Sequence, residues 1–174
     1  TDDVRKELER LKKANVDAVV LDLRNNGGGA LEDARLMSGL FIGKGPVVQV
    51  KDHTGKIEVL ENEDPSVFYD GPLIVLINRF SASASEILAG ALQQHGIAQL
   101  VGQATFGKGS VQELVEISPG TSLKLTVARW LGPDGLQIPR EGITPDIKVD
   151  VTDEQIKAGK DPQMDKAVEI LKGM

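Results

Sequence analysis

Three short stretches of this sequence hold residues that could do chemistry. The first is Phe80-Ser81-Ala82-Ser83-Ala84-Ser85-Glu86, which follows the apolar run Leu73-Ile74-Val75-Leu76-Ile77. A serine at a strand-to-helix turn is well placed as a nucleophile, because nearby N–H groups and the helix dipole can hold an oxyanion. A plainer meaning is also present: Ser83-Ala84-Ser85-Glu86 fits the S-x-x-E capping box, which only satisfies the orphan amides of a helix start. The second stretch is Thr105-Phe106-Gly107-Lys108-Gly109-Ser110-Val111-Gln112. A lysine between two glycines can approach another backbone closely, and a lysine taken out of water becomes a usable base. The alternative is a solvated lysine on a flexible loop. The third is Asp22-Leu23-Arg24-Asn25-Asn26-Gly27-Gly28-Gly29, a glycine run after an apolar strand. Its backbone N–H groups could bind an anion or form an oxyanion hole, or it could be a turn that needs positive φ.

Other chemistry fits poorly. There is no cysteine, so disulfides, Cys-ligated zinc and a thiol nucleophile are excluded. His53 and His95 lie far apart and lack HExxH spacing, which argues against a histidine-rich metal site. Gly102 to Lys108 matches G-x-x-x-x-G-K, but Gly109 stands where a phosphate loop needs Ser or Thr, and the next segment reads as strand. Counting from Gly27, the sixth position of a dinucleotide fingerprint is Glu32 rather than Gly or Ala. Serine needs an adjacent base. With no persuasive histidine, Lys108 is the obvious choice, and a Ser-Lys pair is a known variant of the triad logic.

The elements that must position these residues can be read from periodicity. The chain has 174 residues, about one domain's worth, and its 40% hydrophobic content suffices for one core. A net charge of −6 and 3% aromatics argue against nucleic-acid binding by a basic or base-stacking surface. No apolar run approaches the length of a membrane-spanning helix. Helices are expected over residues 1–13, 31–41, 86–94 and 161–172, the last with Met164, Val168 and Leu171 on one face. Strands are expected over 18–23, 47–50, 57–60, 73–77 and 99–101. Residues 111–117 and 122–130 alternate like half-buried strands, and 143–151 holds a short extended stretch. Strands alternating with helices imply α/β layers with a partly parallel sheet, where chemistry collects at the C-terminal strand ends.

Taken together, the Asp22–Gly29, Phe80–Glu86 and Thr105–Gln112 motifs, with Gly142-Ile143-Thr144-Pro145-Asp146-Ile147 as a closing strand, resemble the C-terminal processing peptidases, or tail-specific proteases. The resemblance runs from about residue 1 to residue 151. It implies an α/β fold with a ClpP/crotonase-like layered core, a mixed, partly parallel sheet flanked by helices. It implies a serine endopeptidase that cuts proteins near their C-termini through a Ser-Lys dyad and an acyl-enzyme. The nucleophile would be Ser83, the base Lys108, and Gln112 would position the lysine. Backbone N–H groups of Gly29 and Ala84 would form the oxyanion hole. No metal or organic cofactor is implied. The expected partners are polypeptides with exposed C-termini, a PDZ domain upstream in the complete protein, and a possible second copy of the chain. The expected location is periplasmic or otherwise extracytoplasmic. Residues 1–151 would be an N-terminally incomplete catalytic core and 152–174 a helical extension packed on it. The alternative is a catalytically impaired peptide-binding or scaffold module on the same fold.

Overall fold

Every residue of Leu73–Ile77 (β4) is buried, so this strand needs cover on both faces. Side chains alternate along a strand. Leu73, Val75 and Ile77 accordingly enter one apolar cluster, and Ile74 and Leu76 enter another. The computed structural model describes residues 1–173 and shows how that cover is built. β4 lies between β1 (Val19–Asp22) and β5 (Gln99–Gly102), with β8 (Ile147–Lys148) beyond β5, and all pairings in this sheet are parallel. Parallel neighbours need crossover connections. One is α3 (Ala84–Gln94), between β4 and β5. Helix α3 shares the larger core with α2 (Leu31–Ser38) and α1 (Asp2–Lys13), through side chains such as Leu88, Leu92, Ala34 and Leu8.

A second sheet is wholly antiparallel, in the order β3-β2-β7-β6. Its strands are β2 (Gly45–Asp52), β3 (Ile57–Asn62), β6 (Ser110–Ser118) and β7 (Thr121–Leu131). The expected mixture of strand directions is thus divided between two sheets. The half-buried reading of residues 111–117 and 122–130 needs correction. Most of β6 and β7 is exposed, including Leu114 and Ile117, because the ribbon extends past the core and none of the described residues covers it. Helix α2 stops at Ser38 instead of reaching residue 41, and Leu40, Phe41 and Ile42 turn into the core.

The opposite face of the parallel sheet is covered by α5 (Pro162–Lys172). Ala167 is buried there beside Met164, Ile170 and Leu171, whereas Val168 faces outward, in contrast to its expected place on the inner face. A short helix not expected from the sequence, α4 (Asp153–Lys157), precedes α5 and is capped by Thr152. Asp161 fixes the start of α5 in two ways. Its carboxylate accepts the Met164 amide at 3.0 Å and receives both terminal nitrogens of Arg24, at 2.7 and 2.8 Å. Arg24 also pairs with Asp22 at the end of β1. The Arg24 guanidinium holds the Asp161 carboxyl below its usual range, with the Met164 amide adding to the effect.

Asp161→Ala should lower stability by about 1–2 kcal/mol at neutral pH, chiefly through loss of the cap. The ion pair adds little because the carboxylate is partly solvent-exposed. Because folding depresses the Asp161 pKa, its contribution is present above the unfolded value of about 3.9 and fades as pH falls through the lower folded value. Urea denaturation of both proteins at neutral pH and at about pH 3 checks this. The gap between them should narrow in acid, and a gap that widens there contradicts the assignment.

Candidate active site

Parallel pairing brings the C-terminal ends of β1, β4 and β5 to one rim of the sheet. The three motifs leave from these ends. The loops after β1 and β4 are tied by short polar links. The Asn78 side chain accepts the Asn25 and Phe80 amides, each at 3.0 Å, and donates to Asn25 Oδ1 at 3.0 Å. Ser81 is fully buried, and its hydroxyl donates to the Leu23 carbonyl at 2.8 Å and accepts the Asn78 amide at 3.0 Å. The Ala82 amide donates to the Asn26 carbonyl at 3.0 Å.

The structure separates the three serines that the sequence leaves equivalent. Ser81 and Ser85 are buried, and only Ser83 is partly open to solvent. Ser83 has φ 59° and ψ −118°, a left-handed backbone that a non-glycine residue rarely adopts. Its amide donates to Glu86 Oε2 at 2.9 Å, one half of the capping box. The Glu86 amide donates to the Ser83 carbonyl at 2.9 Å.

The glycine run passes directly over this turn. A Cβ on Gly28 would sit 2.6 Å from the Ala82 carbonyl oxygen and 2.8 Å from the Ala84 nitrogen, and its φ of +96° also favours glycine. The Gly28 amide is taken by Asn26 Oδ1 at 2.9 Å. The Gly29 amide has no hydrogen-bond partner among the described residues, nor does that of Ala84 at the start of α3. Beside them lies a cavity of about 340 Å³ lined by Gly29, Ala30, Met37, Ala84 and Leu88.

The loop after β5 joins the same cluster through Glu86. This carboxylate is fully buried and accepts Thr105 Oγ1 and the Gly107 amide at 2.6 Å each, and the Lys108 amide at 2.9 Å. The backbone nitrogens of Ser83 and Lys108 therefore lie 2.9 Å from the same carboxylate oxygen. Lys108 is partly buried, and its amine makes no ion pair or hydrogen bond among the described residues. Gln112 is exposed on β6 and makes no side-chain hydrogen bond to Lys108. The segment after Lys108 is strand β6, so the phosphate-loop match lacks the helix it needs. Sequence reasoning read Glu86 only as the partner in a capping box and passed over Thr105, Asn78 and Asn26. The available signal for Glu86 was a carboxylate leading into the apolar run Ile87-Leu88-Ala89.

The profile of peptidase family S41 matches residues 1–149. The chain belongs to peptidase family S41. It is 43% identical over 155 residues to the tail-specific protease of Haemophilus influenzae, an alignment that covers 84% of this chain and 22% of that protein. It is 42% identical over 147 residues to the carboxy-terminal processing protease CtpA of Bacillus subtilis, covering 84% of this chain and 31% of that one. Among solved structures, the photosystem II D1 C-terminal processing protease superposes with a TM-score of 0.78 at 37% identity, covering 84% of this chain and 38% of that one. The chain spans less than two fifths of each of these proteins. The S41 chain thus carries the expected fold, a layered α/β core with a parallel sheet flanked by helices.

The S41 glycine run yields a paired test. Gly28→Ala should cost at least about 1–3 kcal/mol, from positive φ and a crowded Cβ. Gly29→Ala should stay within about 0.5 kcal/mol, because a Cβ there meets nothing within 4 Å and its φ is not positive. Thermal melts of the two variants measure the difference, and equal losses would place the tight approach elsewhere.

Proposed function

We propose that this chain is the catalytic part of a serine endopeptidase that cleaves polypeptides near their C-termini. The observation that carries the reading is the juxtaposition around Ser83: a strained helix-start serine, two unpaired amides beside it, and a lysine loop held by the same carboxylate. Ser83 Oγ attacks the scissile carbonyl while the neutral Lys108 amine takes its proton. The amides of Gly29 and Ala84 receive the developing oxyanion. Lys108 then returns the proton to the leaving amine, and water hydrolyses the acyl-enzyme with the lysine again acting as base. The cavity beside the amides would take the side chain preceding the scissile bond.

Gln112 is assigned by resemblance to hold the lysine. Its side chain makes no hydrogen bond to Lys108 here, so in this reading the contact forms when the substrate or the remainder of the protein is in place. The same disengagement favours a second reading, a peptide-binding module on the same fold without catalysis. Recruitment of substrate tails by an upstream PDZ domain, self-association and an extracytoplasmic location belong to the main proposal. The names of relatives from Tetradesmus obliquus and Arabidopsis thaliana describe those proteins as chloroplastic. No helix among the described residues is long and apolar enough to cross a membrane.

Fluorophosphonate labelling with peptide mapping separates the two readings. An active site should be labelled at Ser83, and a binding module should not be labelled there. Ser83→Ala should lower peptide turnover by at least about 10³-fold while leaving the melt in place. Lys108→Arg should be nearly as damaging as Lys108→Ala, since arginine keeps the charge but cannot give up its proton near neutral pH. A well-active Lys108→Arg variant would leave the lysine a charge role only.

A further inference from the structure

We propose that Glu86 is the positioning residue that sets Ser83 against Lys108, an inference that rests on the Ser-Lys reading above. Its carboxylate is fully buried and has no cationic partner among the described residues. It is satisfied instead by four donors, two on each oxygen. Oε2 accepts the Ser83 and Lys108 amides, and Oε1 accepts the Gly107 amide and Thr105 Oγ1. Three of these donors belong to the base loop and one to the nucleophile. Thr105 Oγ1 also accepts the Ile143 amide at 2.7 Å, so the base loop is braced from behind.

A helix cap requires only the Ser83 amide. The other three bonds serve no purpose for α3, and they make the link stiff. A buried carboxylate without a counter-ion is costly unless its lone pairs are filled. If either loop withdrew, an oxygen would be left unpaired away from water. The two backbones therefore hold a fixed separation, and with them the origins of the Ser83 and Lys108 side chains. Catalysis is sensitive to such placement: a displacement of about 1 Å costs roughly 100-fold in rate.

Glu86→Gln tests this with little change in size. An amide offers one acceptor oxygen and turns its NH₂ toward N–H donors, so it can hold the donors of one oxygen but not those of both. The measurements are kcat and KM on a short chromogenic peptide, the rate of fluorophosphonate labelling at Ser83, a thermal melt and a crystal structure. Glu86→Gln should lower kcat and the labelling rate by about 100-fold, with KM within about threefold and the protein folded. Thr105→Val removes one of the four bonds, together with the brace to the Ile143 amide, and should lower kcat by about 10-fold. A folded Glu86→Gln variant with kcat within about threefold of wild type overturns the proposal, as does a loss confined to KM. If Glu86→Gln does not fold, Thr105→Val decides, and unchanged kcat there overturns the proposal. A wild-type protein that is not labelled at Ser83 fails the Ser-Lys reading instead. The crystal structures then judge the link alone: separation of the Ser83 and Lys108 backbones in the variant supports it, and an unchanged separation overturns it.

Discussion

Parallel pairing of β1, β4 and β5 forces three chain segments that are distant in sequence to leave the sheet side by side. Asp22 pairs with Leu76, and Ile77 with Gly102, so the glycine run, the serine turn and the lysine loop all begin at one rim. Burial fixes this register. Val75 and Ile77 pack with the helices on one face, and Ile74 and Leu76 pack against α5 on the other. A slip of one residue would send each set to the wrong face. The apolar core thereby determines the geometry of a polar site that contributes little to it.

The polar groups of the three loops are used in a consistent way. Asn78, Ser81 and Glu86 tie backbone groups of one loop to another, Asn26 Oδ1 holds the Gly28 amide within its own loop, and no buried side-chain nitrogen or oxygen among the described residues lacks a partner. The amides of Gly29 and Ala84 and the Lys108 amine are left without partners, as are the amides of Gly27, Arg79 and Ala104 in the same loops. The proposed reaction uses the first three.

Much of this was legible in the sequence because the signals are local. Apolar runs bounded by turn residues marked β1, β4 and β5, and the helix that follows the serines was visible from its periodicity. The choice among Ser81, Ser83 and Ser85 was not legible from the residues, since it depends on burial and on one backbone angle; the family resemblance supplied it. Exposure of β6 and β7 is not legible for a related reason: alternation shows that a ribbon has two different faces, not that a neighbour covers one of them. Glu86 shows the same limit. Its bond to the Ser83 amide is local and fits a sequence motif, but its bonds to Thr105, Gly107 and Lys108 cross between elements that only the sheet brings together. Gln112 carries the family motif, yet the motif does not show whether its side chain engages the lysine.

The capping and catalytic meanings of the serine turn are therefore not rivals. Holding Ser83 at φ 59° costs about 1–3 kcal/mol, and such strain persists only where the surroundings over-determine it. Here the Ala82 amide is bound to Asn26, the Ser83 amide to Glu86, and the Ser83 carbonyl to the amides of Glu86 and Ile87. The missing side chain of Gly28 lets the glycine run close over the turn. These bonds fix the backbone of Ser83 and cap α3 without requiring its hydroxyl. The turn that caps the helix is therefore the same turn that presents the serine beside two open amides and the lysine loop.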